Sequence, residues 1–293
     1  MKAQETAEFK YASLLRQVIR RFMLHRLAVG GAAVLLLIIL LSLAAPLVIG
    51  HDPLEVRLDA LRQAPSTDHW LGTDLIGRDV WSRLVYGSRV SLTVGILAVA
   101  LYTFIGSFLG ALAGYFGGLL DQIIMRLTDT LLSIPALLMV MIFVSIIGPS
   151  LTSVIVVIGL LQWPRTCRLI RGQILAIREE EFVLAARAVG NNSVRIILRH
   201  ILPNAFGPLT VLSTFGIANA ILLEATLSFL GLGVRPPTPS WGGMLNEAQS
   251  PAVLSSLPWL WMSPGLAIAM TVLAVNFIGD GLRDAVDVRS VIE

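Results

Sequence analysis

Long stretches of this chain carry no charge, and they recur at intervals. Leu27 to Gly50 is one such run, Val90 to Leu120 a second and Thr130 to Pro164 a third. A helix that crosses a bilayer needs roughly 20 mostly apolar residues, so the first two runs predict one span each. The third is too long for one upright helix, and Gly148-Pro149-Ser150 inside it reads as a turn. It divides into a third span, from about Gln122 to Ile147, and a fourth, from about Leu151 to Leu169. A fifth runs from about Pro203 to Leu230. A sixth lies within Trp259 to Gly279, where Trp259 and Trp261 suit a membrane–water boundary.

The polar residues between these runs set a direction. The N-terminal tail carries Lys2, Lys10, Arg16, Arg20, Arg21 and Arg26, and the segment between spans four and five carries Arg165, Arg168, Arg171, Arg178, Arg187, Arg195 and Arg199. Excess positive charge marks cytoplasmic loops, which places both segments and both termini in the cytoplasm. The five arginines between His51 and Arg89 are matched by Asp52, Glu55, Asp59, Asp68, Asp74 and Asp79, and Gly231 to Pro258 holds only Arg235; these two loops face outward. The apolar run of span one exceeds the h-region of a secretory signal, about 7–15 residues, which argues against cleavage.

Composition agrees with a membrane class. Charged residues make up 14% of the chain, hydrophobic ones 55%, and mean hydropathy is +0.78, against about 25% charged in soluble domains. Cys167 is the only cysteine, so no disulfide framework or cysteine metal site exists, and His25, His51, His69 and His200 lack metal-motif spacing. Only Lys2 and Lys10 are lysines and neither follows a glycine, so there is no P-loop. If the protein works with ATP, another chain hydrolyses it. An intramembrane enzyme would need paired aspartates or a zinc motif within the spans, and a self-sufficient secondary transporter would be expected to show an inverted repeat. The sequence presents none of these clearly.

Three features stand out within this plan. Gly106, Gly110 and Gly114 share a face of span two, a small-residue stripe that lets helix backbones approach in lipid; it predicts a tight seam with another helix of this chain or of a partner. Arg126 and Asp129 sit three apart near Asp121, a spacing at which a helical pair neutralises itself. Glu224 lies deep in span five and is read either as lining a solute path or as a structural hydrogen-bonding group. In the outer segment, Thr73 or Asp74 caps a helix with Val80, Trp81, Leu84 and Val85 on one face. That helix either contacts an external partner or steadies span two.

The richest stretch is EEFVLAARAVGNNSVRIILRHILPN, Glu180 to Asn204. Glu181 to Val189 reads as a short helix with Phe182, Ala185, Ala186 and Val189 on one face. Gly190 stops it, Asn192 or Ser193 caps the next helix, and Val194, Ile197, Leu198 and Ile201 form a second apolar face. Small alanines on an exposed helix suit entry into another protein's groove.

These residues resemble the EAA loop of binding-protein-dependent ABC importers. Ala185, Ala186 and Gly190 match its pattern and Leu202-Pro203 falls at the right distance, while Leu184 and His200 depart from it. HWLGTDLIGRDVWSRLVYGSRVSL (His69 to Leu92), GYFGGLLDQIIMRLTD (Gly114 to Asp129), LSFLGLGVRPPTPSWGGML (Leu227 to Leu245) and FIGDGLRDAVD (Phe277 to Asp287) are similar to the C-type permease subunit of di- and oligopeptide importers.

The resemblance implies an all-α polytopic fold of the type I importer permease kind. A first helix would occupy residues 27–50 after a tail of residues 1–26, an extracytoplasmic segment residues 51–89 and a core permease unit residues 90–281. A coupling region would lie at about Glu180 to Pro203, and a second tail at residues 282–293. Glu181, Phe182, Ala185, Ala186, Arg187 and Gly190 would couple to an ATPase. The implied partners are a homologous second permease, one or two cytoplasmic ATPase subunits that bind the ATP and magnesium, an extracytoplasmic binding protein and the lipid of a prokaryotic inner membrane. No nucleic acid, no metal and no catalysis in this chain are expected. Peptides are the implied substrate, with nickel, glutathione or another small solute as alternatives.

Overall fold

The computed structural model describes residues 16–286. Lys2, Lys10 and the last residues of the C-terminal tail lie outside them. Residues 16–24 are helical and lead into α1, Arg26–Leu43, whose first turn is capped by His25 through the amide of Ala28. A short α2, Ala45–Val48, ends the first crossing. After an irregular segment comes α3, Val80–Phe116.

The outer amphipathic helix and span two are one continuous helix of 37 residues, and the expected boundary at residue 90 falls inside it. Its cap is Asp79, which accepts from the amide of Ser82 at 2.7 Å, rather than Thr73 or Asp74. Thr73 and Asp79 instead face each other in an isolated bridge, and Asp74 accepts from the amides of Ile76 and Arg78, so both expected caps are committed to the turn that precedes the helix.

The third crossing is broken. α4, Gly118–Ser133, and α5, Ala136–Ile147, meet at 91°. Ile134 precedes Pro135 and is extended at φ −100°, ψ 134°, because the proline ring disfavours helical backbone before it. The turn at Gly148 has the expected positive φ, +101°, and Ser150 caps α6, Leu151–Leu161. Gln162 interrupts the fourth crossing before α7, Trp163–Ile177, which carries Pro164 in its first turn. The crossing thus reaches Ile177, eight residues beyond the end expected at Leu169.

α8, Glu181–Ala188, and α9, Ser193–Ile196, follow. A π-turn at Ile197–Ile201 joins α9 to α10, Leu202–Phe229. After α11, Trp241–Glu247, and α12, Pro251–Ser256, the chain ends in α13, Pro258–Val286. Five stretches are long and apolar enough to cross a membrane, and the bent α4–α5 pair makes a sixth. No strand occurs among the described residues.

α3 is the axis of the bundle. Its N-terminal half packs Val94 and Ala98 with α5, α6 and Leu227 of α10, and its other end packs Ala111 with α7, α8 and α10. The start of α3 is covered by a separate apolar cluster, in which Val80 meets Met244, Val253 and Leu260. The buried Val80 and Val85 and the half-buried Leu84 show that the predicted amphipathic face turns inward.

Candidate functional site

α8 is held on one face and free on the other. Val183 and Ala186 are buried with Ile170 and Ile174 of α7, Ile196, Ile201 and Ala205. Phe182, Ala185 and Val189 are exposed, Val189 at 84%. The predicted face of Phe182, Ala185, Ala186 and Val189 is therefore split, with only Ala186 inside. The reason is that α8 is apolar nearly all round, since Val183 and Leu184 complete its circumference; periodicity alone cannot choose which stripe turns inward.

The end of α8 closes tightly. Gly190 takes φ +83°, the left-handed conformation that favours glycine. Its amide donates to Arg187 O at 2.9 Å, and Asn191 donates to Ala186 O through its backbone and side-chain nitrogens. Asn192 caps α9 through the amide of Arg195. The Arg187 guanidinium stacks 5.1 Å over the Tyr115 ring at the end of α3. Glu181 is exposed in the first turn, where a carboxylate favours the helix dipole. In the second apolar face, Val194 and Leu198 are exposed, while Ile201 is buried and Ile197 partly so; Ile196 takes the inward place instead.

The glycine stripe lies against α7. A Cβ on Gly106 would stand 2.7 Å from Trp163 O, one on Gly110 2.6 Å from Cys167 O and one on Gly114 3.0 Å from Arg171 O. The seam is thus inside the chain, and the helix it grips is the one that carries α8. Arg178 Nη1 donates to Gly114 O at 3.1 Å and ties the turn before α8 to the same end of α3.

The expected Arg126–Asp129 pair does not form. Asp129 meets Arg168 at 2.5 Å, and Asp121 takes two bonds from Arg171 at 2.5 and 2.6 Å. Two α7 arginines lie alongside α4 and reach its acids across the helix pair. Glu224 is fully buried and accepts from Ser91 Oγ at 3.0 Å and Ser228 Oγ at 2.7 Å, which pins α10 to α3.

Some clusters join residues too far apart in sequence to be seen there. Asp74 accepts from Arg78 Nε at 2.6 Å and Arg83 Nη1 at 3.1 Å; Glu247 on α11 accepts from Arg78 at 2.6 Å and from Arg83 at 2.9 Å on each oxygen. Burial pushes the Glu247 carboxyl above the usual carboxylate range, against the pull of Arg78. Nearby, His69 Nδ1 lies 2.9 Å from Asp79 Oδ1, and the His51 and His69 rings are 4.7 Å apart. One ligand atom from each of the three lies within 4.8 Å of the others, although 18 residues separate the histidines.

A cavity of about 310 Å³ opens where the two broken crossings meet α3 and α10. Ala136 and Leu137 begin α5 there, Gln162 marks the α6–α7 joint, and Tyr102, Arg165 and Asn219 contribute polar groups. Arg165, grouped by sequence with the loop arginines, lies on α7 within the helical stretch Leu151–Ile177.

Apolar crossings around a glycine-bearing axis, with a half-free helix held at one end, define an all-helical polytopic membrane protein. The chain belongs to the binding-protein-dependent transport system inner membrane component family, whose pattern it matches over residues 106–291. Residues 13–65 match the N-terminal TM domain of oligopeptide transport permease C. It is a multi-pass inner-membrane permease subunit of an ABC importer. A peptide-permease relative from Brucella suis is 47% identical over 92% of this chain and 89% of its own length. A dipeptide transport system permease protein from Alkalihalophilus pseudofirmus is 40% identical over 96% and 91%. A glutathione transport system permease protein from Pectobacterium atrosepticum is 41% identical over 93% and 90%. The inward-facing MetNI methionine ABC transporter shares the fold, at a TM-score of 0.57 and 19% identity over 69% of this chain and 95% of that one.

Proposed function

We propose that this chain forms half of the translocation pore of a di- or oligopeptide importer and receives its drive through Glu181–Gly190. The other half is a homologous second permease. One or two cytoplasmic ATPase subunits bind ATP and magnesium, an extracytoplasmic binding protein delivers the peptide, and both termini lie in the cytoplasm. The chain itself catalyses nothing. Its relatives carry peptide names, and glutathione, named for one of them, is itself a peptide.

The observation that carries this reading is the two-sided α8. Phe182, Ala185 and Val189 face outward with no cover, while Val183 and Ala186 are embedded against α7. A groove on the ATPase admits the apolar outward face, where Ala185 leaves room for close approach. When the ATPase pair closes, α8 is displaced, and α7 follows because Ile170 and Ile174 pack around the same residues. α3 follows in turn through the glycine seam. Interfaces this tightly packed shift as rigid bodies rather than deforming.

Ala185→Trp tests the docking face. The residue is exposed, so the isolated chain should keep its stability to within about 0.5 kcal/mol. In the reconstituted importer, peptide uptake should fall more than about tenfold, the equivalent of 1.4 kcal/mol, while the ATPase subunits alone hydrolyse ATP normally. Normal uptake by this variant would refute docking through α8.

A further inference from the structure

Resting on the peptide reading, we infer that the cavity at the two helix breaks is a transit site for the peptide's C-terminal carboxylate, with Arg165 as its charge partner and Tyr102 and Gln162 as hydrogen-bonding groups. Three observations meet there. The cavity, of about 310 Å³, has the size of a small-ligand site. It lies beside the bend that precedes Ala136 and beside Gln162, the single residue between α6 and α7; the irregular backbone of such a bend is tolerated at membrane depth where it lines a cavity. And its polar side chains are unspent.

Tyr102 is 8% exposed and lines the cavity, and its hydroxyl, packed against Gly216, has no hydrogen-bond partner among the described residues. Gln162 and Arg165 likewise have no hydrogen-bond or ion-pair partner among the described residues. Of the three, only Tyr102 is buried, where polar groups are nearly always paired; Gln162 is half-buried and Arg165 is exposed. Arg168, Arg171 and Arg178, further along α7 or just past it, each find an oxygen, and Glu224 is bonded by two serines. Asn219 spends its amide nitrogen on Phe215 O and keeps its oxygen free.

The donor set selects the ligand. A guanidinium grips a carboxylate with two parallel bonds, the phenol donates one more, and the Gln162 and Asn219 amides match peptide N–H and C=O groups. The walls, Leu137, Ile158, Leu212, Phe215 and Leu223, are apolar and accept differing side chains without naming one. An arginine within a crossing is costly unless it faces a cavity or a partner, and a wet cavity lets it stand free between cargoes.

The test uses the whole importer in proteoliposomes, with trialanine as the free acid and as its C-terminal amide. Arg165→Gln should lower free-acid uptake about ten- to a hundredfold, the range for losing a hydrogen bond to a charged group. Amide uptake should change less than about twofold, Arg165→Lys should recover part of the loss, and Tyr102→Phe should cost free-acid uptake several-fold; ATP hydrolysis stimulated by loaded binding protein should persist in all three. Equal losses for both forms, or a parallel loss of stimulated hydrolysis, would place Arg165 in assembly and overturn the carboxylate site. If the unmodified importer moves neither form, the peptide reading itself fails, a result that the variants do not produce.

Discussion

Gly110→Leu should destabilise the chain by about 3 kcal/mol or more, at the upper end of overpacking costs. A Cβ at this position would come within 2.6 Å of Cys167 O and 3.0 Å of Ile170 Cβ. The first is a backbone atom of a buried helix and cannot swing aside, so α3 and α7 must separate along the seam. Leucine is the better helix former by up to about 1 kcal/mol, which makes the net loss a lower bound on the contact itself. Gly30→Leu on α1 is the control, since nothing lies within 4 Å of a Cβ there; it should stay within about 0.5 kcal/mol. Thermal unfolding of the detergent-solubilised chain measures both. If the two variants unfold together, the small-residue stripe is ordinary membrane composition and not a seam. Because α7 carries the helix proposed to meet the ATPase, the same change should also weaken assembly of the importer.

The contrast between Gly110 and Arg83 explains how far the sequence could be read. The stripe of Gly106, Gly110 and Gly114 is local, so its face was visible from spacing, and its in-chain partner was one of the alternatives left open. The same holds for Gly148, Gly190 and Asn192, each of which punctuates the backbone through its own conformational or capping preference. The limits of α3 were hidden because Arg83 and Arg89 end the charge-free run. Their charges are met from far away: Arg83 by Glu247, and Arg89 by the carbonyls of Ser42 and Leu43 at the end of α1. A helix can therefore run straight through them. The 91° bend at Ile134-Pro135 was hidden for the opposite reason. It lies in an unbroken apolar run, where hydropathy has no contrast and only the pre-proline restriction signals the break. Arg165, counted by charge density among the loop arginines, lies on α7 beside the cavity, a placement that only the fold reveals. The face of α8 could not be chosen because nearly every side of it is apolar. The cluster of His51, His69 and Asp79 escaped spacing rules because the fold, not the chain, brings the two histidines together.

Arg83→Met should cost about 3–5 kcal/mol, the range for removing one partner of a buried ion pair. The Arg83 side chain is 3% exposed and makes three bonds, one to Asp74 and two to Glu247. Its removal leaves Asp74 with Arg78 and two backbone amides, but leaves Glu247 with Arg78 alone. Burial disfavours the charged form of Glu247, although a third of its side chain meets solvent; Asp74, at 7% exposed, has less solvent to replace the lost guanidinium. Arg83→Lys should lie between the two, because an ammonium is a point charge and cannot hold both carboxylates in the fork geometry. Arg57→Met, which breaks the exposed pair with Glu55, should change stability by less than about 1 kcal/mol. Unfolding midpoints order the variants. The network joins the turn before α3, its second turn and α11, so this outcome would mark the outer segment as a brace for the axis helix. If Arg83→Met instead unfolds like the parent and loses only stimulation by the binding protein, the segment is a docking surface and the brace reading fails.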